Sequence, residues 1–329
     1  MYTVIVESLR RYTALSDYIG IIHFEKTISC IKDVSGKRFR SKIAGKDILI
    51  VFPSIPDNYD GSQFDLQNGD LVVPNNLFHG KVNWGMINNY PQCLFTVKAV
   101  LCYISATETE IHSIYQEFPK WKDKLMRLHI INTSDYMSPK QKLPALIQGG
   151  GVDDGLRIFE VVDRTKLQYV RNSRSTETIK LHFVATKESY SVDAVSMLFA
   201  NAGAEKEIAL TYELLINAYC SMERNDFRSA VILAGSAVER AILTRMKCEY
   251  SNTTDYERDS KKHRMLGRKF EWLSEKSISI PVVDYETAIL DVRNDATHDG
   301  ICPSYSATKD CLEKCKILIE EYHPQVLEQ

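Results

Sequence analysis

Phe227-Arg-Ser-Ala-Val-Ile-Leu-Ala-Gly-Ser-Ala-Val-Glu-Arg-Ala-Ile-Leu243 is the stretch that decides the fold of the second half of this chain. Ala230, Val231, Ala234, Ala237, Val238, Ala241 and Ile242 recur at intervals of three and four, the period of one face of an α-helix. That face is made mostly of small residues, and with Gly235 it lets neighbouring helices approach closely. A central helix over about 227–248 is therefore expected, stopped and capped on its N-terminal side by Asn225-Asp226. Other helices should surround it. One runs from about Lys206 to Met222, a third begins at Lys261-Lys-His-Arg264 and ends near Glu275, and a fourth runs from about Asp284 to 296–298, with Gly300 as its C-terminal cap. A last helix opens at Pro303-Ser304 and stops before Pro324. Ser251 to Ser260 is polar and reads as a loop.

The fourth of these helices carries Leu290-Asp-Val-Arg-Asn-Asp-Ala-Thr-His-Asp-Gly300, which sets Arg293 five residues before His298. Arg is a permanent cation whose planar fork of donors fits a phosphate. His gives and takes a proton near neutral pH. On an ideal helix the two would stand ~140° apart, and fraying or a cap near Asp299-Gly300 would turn His298 back toward the Arg293 side. Asp291, Asp295 and Asp299 surround the pair with negative charge, which opposes a phosphate. The bland alternative is a helix-end Arg293 paired with Asp291 or Glu286, with His298 serving as a cap. Glu239, beside the apolar face of the central helix, is either a helix-partner residue or a group that orients one member of the pair. Lys261, Lys262, Arg264, Arg268 and Lys269 form the densest basic cluster, read as a solvated helix face or as an RNA-backbone contact.

With these residues in view, about 206 to 323 resembles the HEPN superfamily of all-α domains, the abortive-infection C-terminal type included. The matching residues are the Ala-Gly-Ser-Ala-Val-Glu239 run, Arg293-Asn294 and His298-Asp299-Gly300. The resemblance implies an R-x4–6-H catalytic motif, here Arg293, Asn294 and His298, with Glu239 and Asp295 as supporting residues. It implies a homodimer with a composite site and an endoribonuclease that needs no metal and no cofactor. In this reading the 2′-hydroxyl of RNA attacks the adjacent phosphate, His298 is the base or acid, Arg293 stabilises the phosphoryl charge, and Asn294 positions the phosphate or holds the His. It further implies anti-phage or toxin work switched by a phage-derived or protein trigger. A non-catalytic dimerisation and binding module is the competing expectation.

The first part of the chain has another texture. Tyr2–Val6, Ile19–Phe24, Ile48–Phe52, Leu94–Ile104, Ile158–Val162 and Ile179–Val184 are β-branched and aromatic runs separated by turn clusters. Asp33-Val-Ser-Gly36 between Thr27–Ile31 and Lys37–Ile43 predicts a hairpin. Between Glu108 and Leu128 the spacing becomes helical, for one helix or two broken at Pro119. The α+β expectation is thus a β-rich sandwich or barrel-like domain with a helical insertion over 1–195, serving as sensor or regulator. A short connection at 196–205 leads to the helical domain at 205–329. Gly149 to Gly155 is read as a loop between strands. The β-rich part holds no G-x4-G-K-[ST], no G-x-G-x-x-G and no nucleotidyltransferase-type Gly-Ser with paired Asp, so no catalytic motif is assigned there.

Composition narrows the field. The chain has 329 residues with 44% apolar and 26% charged content, as in ordinary globular proteins, and a length that favours two domains. It contains no apolar run near 18 residues, so no membrane span is expected. Met1-Tyr-Thr-Val-Ile-Val-Glu-Ser lacks the basic start and long apolar run of a secretory signal. The eight cysteines are scattered, which reads as reduced thiols in a cytoplasm rather than a disulfide frame or zinc site, with Cys311 and Cys315 one turn apart on a packed helix face. From Glu205 on, 17 basic residues face 22 acidic ones. Any RNA contact must therefore be local rather than a basic surface.

Overall fold

The computed structural model of the protein describes residues 17–54, 85–88, 94–133, 156–163, 166–170 and 189–328. The expected strands Tyr2–Val6 and Ile179–Val184, the turns between 56 and 76, and the Gly149–Gly155 loop lie outside the described residues. The chain divides into two compact units, Met1–His129 with Lys142–Ala204 and Ile130–Gln141 with Glu205–Gln329.

The first unit is built on an antiparallel sheet. Its strands are β1 (Asp17–Ile31), β2 (Arg38–Ile43), β3 (Lys46–Val51), β4 (Gly85–Asn88), β5 (Leu94–Ser105), β6 (Leu156–Asp163) and β7 (Lys166–Tyr169). They pair in the order β2-β3-β5-β1-β6-β7, with β4 also on β5. Among the described residues this is one sheet, not the two facing sheets of a sandwich. The reason is that helices take the place of a second sheet: α1 (Glu108–Thr133) and α2 (Val192–Ala202) bring the apolar side chains that cover it. Phe199 of α2 is their meeting point. Its ring lies 5.8 to 6.4 Å from those of Phe24, Phe39, Phe52 and Trp121, and all five are buried. Burying each such side chain is worth roughly 1.5–3 kcal/mol. Polar atoms are matched in the same place: Ser41 Oγ donates to the Phe199 carbonyl at 2.7 Å and accepts from Trp121 Nε1 at 3.0 Å.

Three local expectations change. Thr27–Ile31 continues the long β1 and does not form a hairpin with β2. β2 pairs instead with β3, across a two-residue turn in which Ala44 and Gly45 both have positive φ, 53° and 72°. That is the turn whose twist suits a tight hairpin, and Ala-Gly is a weak sequence signal for it. The main chain at the end of β1 is satisfied by Tyr190, through Ile31 N–H to Tyr190 C=O and Tyr190 N–H to Ser29 C=O. Second, α1 runs unbroken through Pro119. Phe118, Trp121 and Leu125 are all buried on its inner face, and their packing outweighs the lost hydrogen bond. Third, residues 196–205 are not merely a connection, because most of them belong to α2, capped by Ser191 Oγ on Ala194 N–H.

The described residues of the second unit from 205 on form the helices α3 (Leu210–Glu223), α4 (Phe227–Glu249), α5 (Thr253–Lys262), α6 (Leu266–Glu275), α7 (residues 286–299) and α8 (Tyr305–Tyr322). α4 is central and packs on all the others. Ala230, Ala234, Ala237 and Ala241 are fully buried, so the small-residue face does bring its neighbours close. The N-cap of α4 is Asp226, whose Oδ1 accepts from Ser229 N–H, and Asn225 before it holds φ 61°. The stretch expected to be a loop contains α5, which buries no side chain and so has no apolar period to read. Its N-cap Asn252, accepting from Asp255 N–H at 2.8 Å, was its one signal. The two ends of the unit are joined by a bridge between Ile208 and Leu327, and Tyr212 donates to the His323 carbonyl. No helix of the described residues is long and apolar enough to cross a membrane.

Gly203 shows how closely α2 and β2 fit. A Cβ built there would stand 2.3 Å from the Lys42 nitrogen and 2.8 Å from Ser41 Oγ. Backbone cannot yield as a side-chain tip does, so Gly203→Ala should destabilise the first unit by about 1–3 kcal/mol. Thermal unfolding checks this; a melting temperature equal to the parent's would show that the contact is looser than described.

Candidate functional site

α7 departs from ordinary α-helix. Glu286–Asp291 and Asp295–Asp299 are wide, π-type turns, and Val292–Asn294 between them keeps α spacing. Such turns are rare and are frequent at functional sites. They also disturb the usual pairing of backbone groups, which must then be completed by others. Gly300 ends the helix in the left-handed region at φ 69°, as expected of a C-terminal glycine. In the usual ending the next N–H reaches the carbonyl five residues back, which here is Ala296. Ile301 N–H reaches Asp295 instead, at 3.1 Å. The Ala296 carbonyl is taken by Arg228 Nε of α4 at 2.8 Å, and Thr297 Oγ1 donates to the Arg293 carbonyl at 2.7 Å.

Arg293 lies across α4. A Cβ on Gly235 would meet Arg293 Cγ at 3.0 Å, so the glycine is the groove in which the aliphatic stem rests. Its Nη1 makes one long contact, 3.4 Å to Asn294 Oδ1, and its Nε is out of water without a hydrogen-bond partner. Among the described residues Arg293 makes no ion pair, so the alternative pairing with Asp291 or Glu286 does not form. His298 is exposed on the last wide turn, and no side-chain partner is described for it. A wide turn rotates less per residue than an α turn. Over Asp295–Asp299 this lowers the ~140° separation that a straight helix would set between the two positions. Asn294, Asp295 and Asp299 are exposed around them.

The supporting residues fall elsewhere. Glu239 Oε1 accepts from Lys269 Nζ at 2.9 Å. Lys269 is 1% exposed and also donates to the Arg264 carbonyl, so its ammonium is an interior strut, not a surface contact for RNA. Neither residue of this ion pair is described in contact with Arg293 or His298. The rest of the basic cluster is split between two helices. Lys261 and Lys262 end α5, Arg264 follows it, and Arg268 is on α6; all four are exposed. Lys262 pairs with Glu275 and Arg268 with Glu271 at 2.6 Å, while Lys261 and Arg264 have no described side-chain partner. Cys311 and Cys315 are fully buried with Sγ atoms 4.0 Å apart, on a packed face as read from the sequence.

The start of α7 is held by charge and stacking. Lys314 of α8 bridges Asp284 and Asp310, each at 2.6 Å; its side-chain bonds raise the Lys314 pKa and lower that of Asp284. Tyr285 stacks on Phe270 with centroids 4.3 Å apart, and burial raises its phenol pKa. The residue that sequence reading passed over is Arg228. Its signal was the seven-residue spacing to Gly235, which puts both on one side of α4 within about 20°. No protein-family model, no curated protein and no solved structure matches the chain.

Two substitutions separate scaffold from site. Gly235→Ala presses a methyl on a flexible side chain and gains helix propensity, so stability should change by less than about 1 kcal/mol while the Arg293 guanidinium moves. A melting curve and a structure of the variant read the two effects. Glu239→Ala leaves the Lys269 ammonium inside the unit without its carboxylate and should destabilise by roughly 2–3 kcal/mol, with Glu239→Gln milder; equal denaturant midpoints for both variants and the parent would overturn the strut role.

Proposed function

We propose that the helical unit is a HEPN-type endoribonuclease that cuts RNA without a metal, and that the sheet-containing unit senses a trigger or restrains it. The observation that carries this is Arg293: a guanidinium laid over Gly235, free of any described carboxylate, five residues before an exposed His298 on a widened helix. An ion-paired Arg293 would have been a structural residue. An unpaired one, five residues before an exposed imidazole, offers what phosphodiester transfer needs, an anion clamp and a proton carrier.

In this reading the 2′-oxygen of a ribose forms a bond to the adjacent phosphorus and the bond from phosphorus to the 5′-oxygen breaks. His298 takes the proton of the 2′-hydroxyl, and the leaving 5′-oxygen receives one from a second imidazole, supplied by the other protomer of a homodimer. Arg293 meets the charge on the non-bridging oxygens, with Asn294 placing the phosphate. The products are a 2′,3′-cyclic phosphate and a 5′-hydroxyl. DNA, lacking the 2′-hydroxyl, resists. The setting is cytoplasmic defence against phage, or toxin activity, released by a phage-derived or protein trigger.

Purified protein incubated with total RNA, tRNA and single-stranded DNA in EDTA tests this. RNA should be cut to cyclic-phosphate ends and DNA left intact. His298→Ala and Arg293→Ala should each lower the rate by about a hundredfold or more, with the fold unchanged, and Gly235→Ala should lower it less. Equal behaviour of parent and both alanine variants would sink the nuclease and leave a dimerisation and binding module.

A further inference from the structure

Arg228 does more in this structure than close a backbone account. It stands in the first turn of α4, exposed, with Nε committed to the Ala296 carbonyl at 2.8 Å. Its two terminal nitrogens have no described partner. Ala296 sits two residues before His298 on the same wide turn, and Gly235, under Arg293, lies on the same side of α4 as Arg228, about 10 Å further along. We infer that Arg228 is a second phosphate-binding arginine of the site, fixed through Nε to the Ala296 carbonyl and offering its terminal nitrogens to a phosphate of the same strand that Arg293 engages. This rests on the ribonuclease reading and adds to it a binding residue outside the R-x4-H motif.

The physical case is pre-organisation. A surface arginine surrenders rotamer entropy when it binds, and one already anchored by Nε has given up much of that in advance. The main chain is also the right anchor. A carbonyl takes Nε without neutralising the guanidinium, whereas a carboxylate would cancel it. The charges nearby are mixed. Asp226 lies two residues before Arg228, but its carboxyl faces Ser229: the hydrogen bonds from Ser229 are the main cause that holds its pKa down, with Arg224 and Arg228 contributing less. It makes no ion pair with Arg228 among the described residues. Asp295 and Asp299 on α7 are exposed and make no ion pair among the described residues, and they offset the cations of the same region. With so little net positive charge, phosphate affinity has to come from cations held in place.

Binding rather than turnover tests the idea, on the full-length protein. A fluorescent 2′-O-methyl oligoribonucleotide, which has no nucleophilic 2′-hydroxyl, is titrated at several NaCl concentrations by anisotropy. Arg228→Gln keeps an N–H for the Ala296 carbonyl and removes the charge, so the turn should survive, which thermal unfolding verifies. It should bind about tenfold more weakly at low salt. The slope of log K against log salt should shrink by about 0.7, the loss of one phosphate contact on a single strand. Arg228→Lys should restore that slope. If Arg228→Gln matches the parent in affinity and slope while Arg293→Ala is weakened, Arg228 merely holds the turn and this inference falls alone. If the parent binds no oligonucleotide, the inference and the ribonuclease reading fall together.

Discussion

The second unit depends on a backbone accounting problem. A helix that widens from four-residue to five-residue spacing cannot keep every N–H and C=O paired within itself, and a buried or half-buried orphan costs about 1–3 kcal/mol. Residues 286–299 widen twice. The structure answers at the second widening with a hydroxyl and a guanidinium, Thr297 on the Arg293 carbonyl and Arg228 on that of Ala296. These contacts fix the path of the chain between Arg293 and His298. Remove them and the segment would relax toward ordinary helix, which would change the angle between positions 293 and 298.

The same accounting explains why α4 is made as it is. α7 lies against α4, and the buried alanines of that face, with a glycine under the Arg293 stem, leave room for it. A larger residue at 235 would push the arginine stem outward. One turn further along, the face changes character: Glu239 meets the buried Lys269, and a charge pair replaces close contact. The two halves of the face thus do different things, one presenting a cation and the other locking α6 in place.

What could be read from the sequence was whatever had a period or a cap. α4 showed itself through Ala230, Ala234, Ala237 and Ala241, the end of α7 through Gly300, and α8 through Ser304, whose Oγ accepts from Ala307 N–H. α5 was missed because a helix without a buried side chain has no apolar period, and the choice between one helix and two at Pro119 stayed open because the local cost of the proline is legible while the packing of Trp121 is not. Of the proposed site, Arg293 and His298 were legible as residue types. That Arg293 is unpaired, that Lys269 is interior and that Arg228 reaches Ala296 depend on neighbours far away in the chain, which spacing does not encode.

The long strand β1 has a consequence for how the chain is made. Ile19, Ile21 and Ile22 are almost fully buried, yet among the described residues β1 pairs with β5 and β6 and with no strand adjacent in sequence. The closest of those partners begins at Leu94, roughly sixty residues after β1 ends. At ribosomal speeds of about 5–20 residues per second, β1 waits several seconds as an apolar, unpaired segment. The helical unit has the same feature, because α4 packs on α8, which begins at Tyr305, more than fifty residues after α4 ends. Both units therefore complete their cores only after a long further stretch of chain has been made, and in each an apolar face must be shielded from aggregation while it waits.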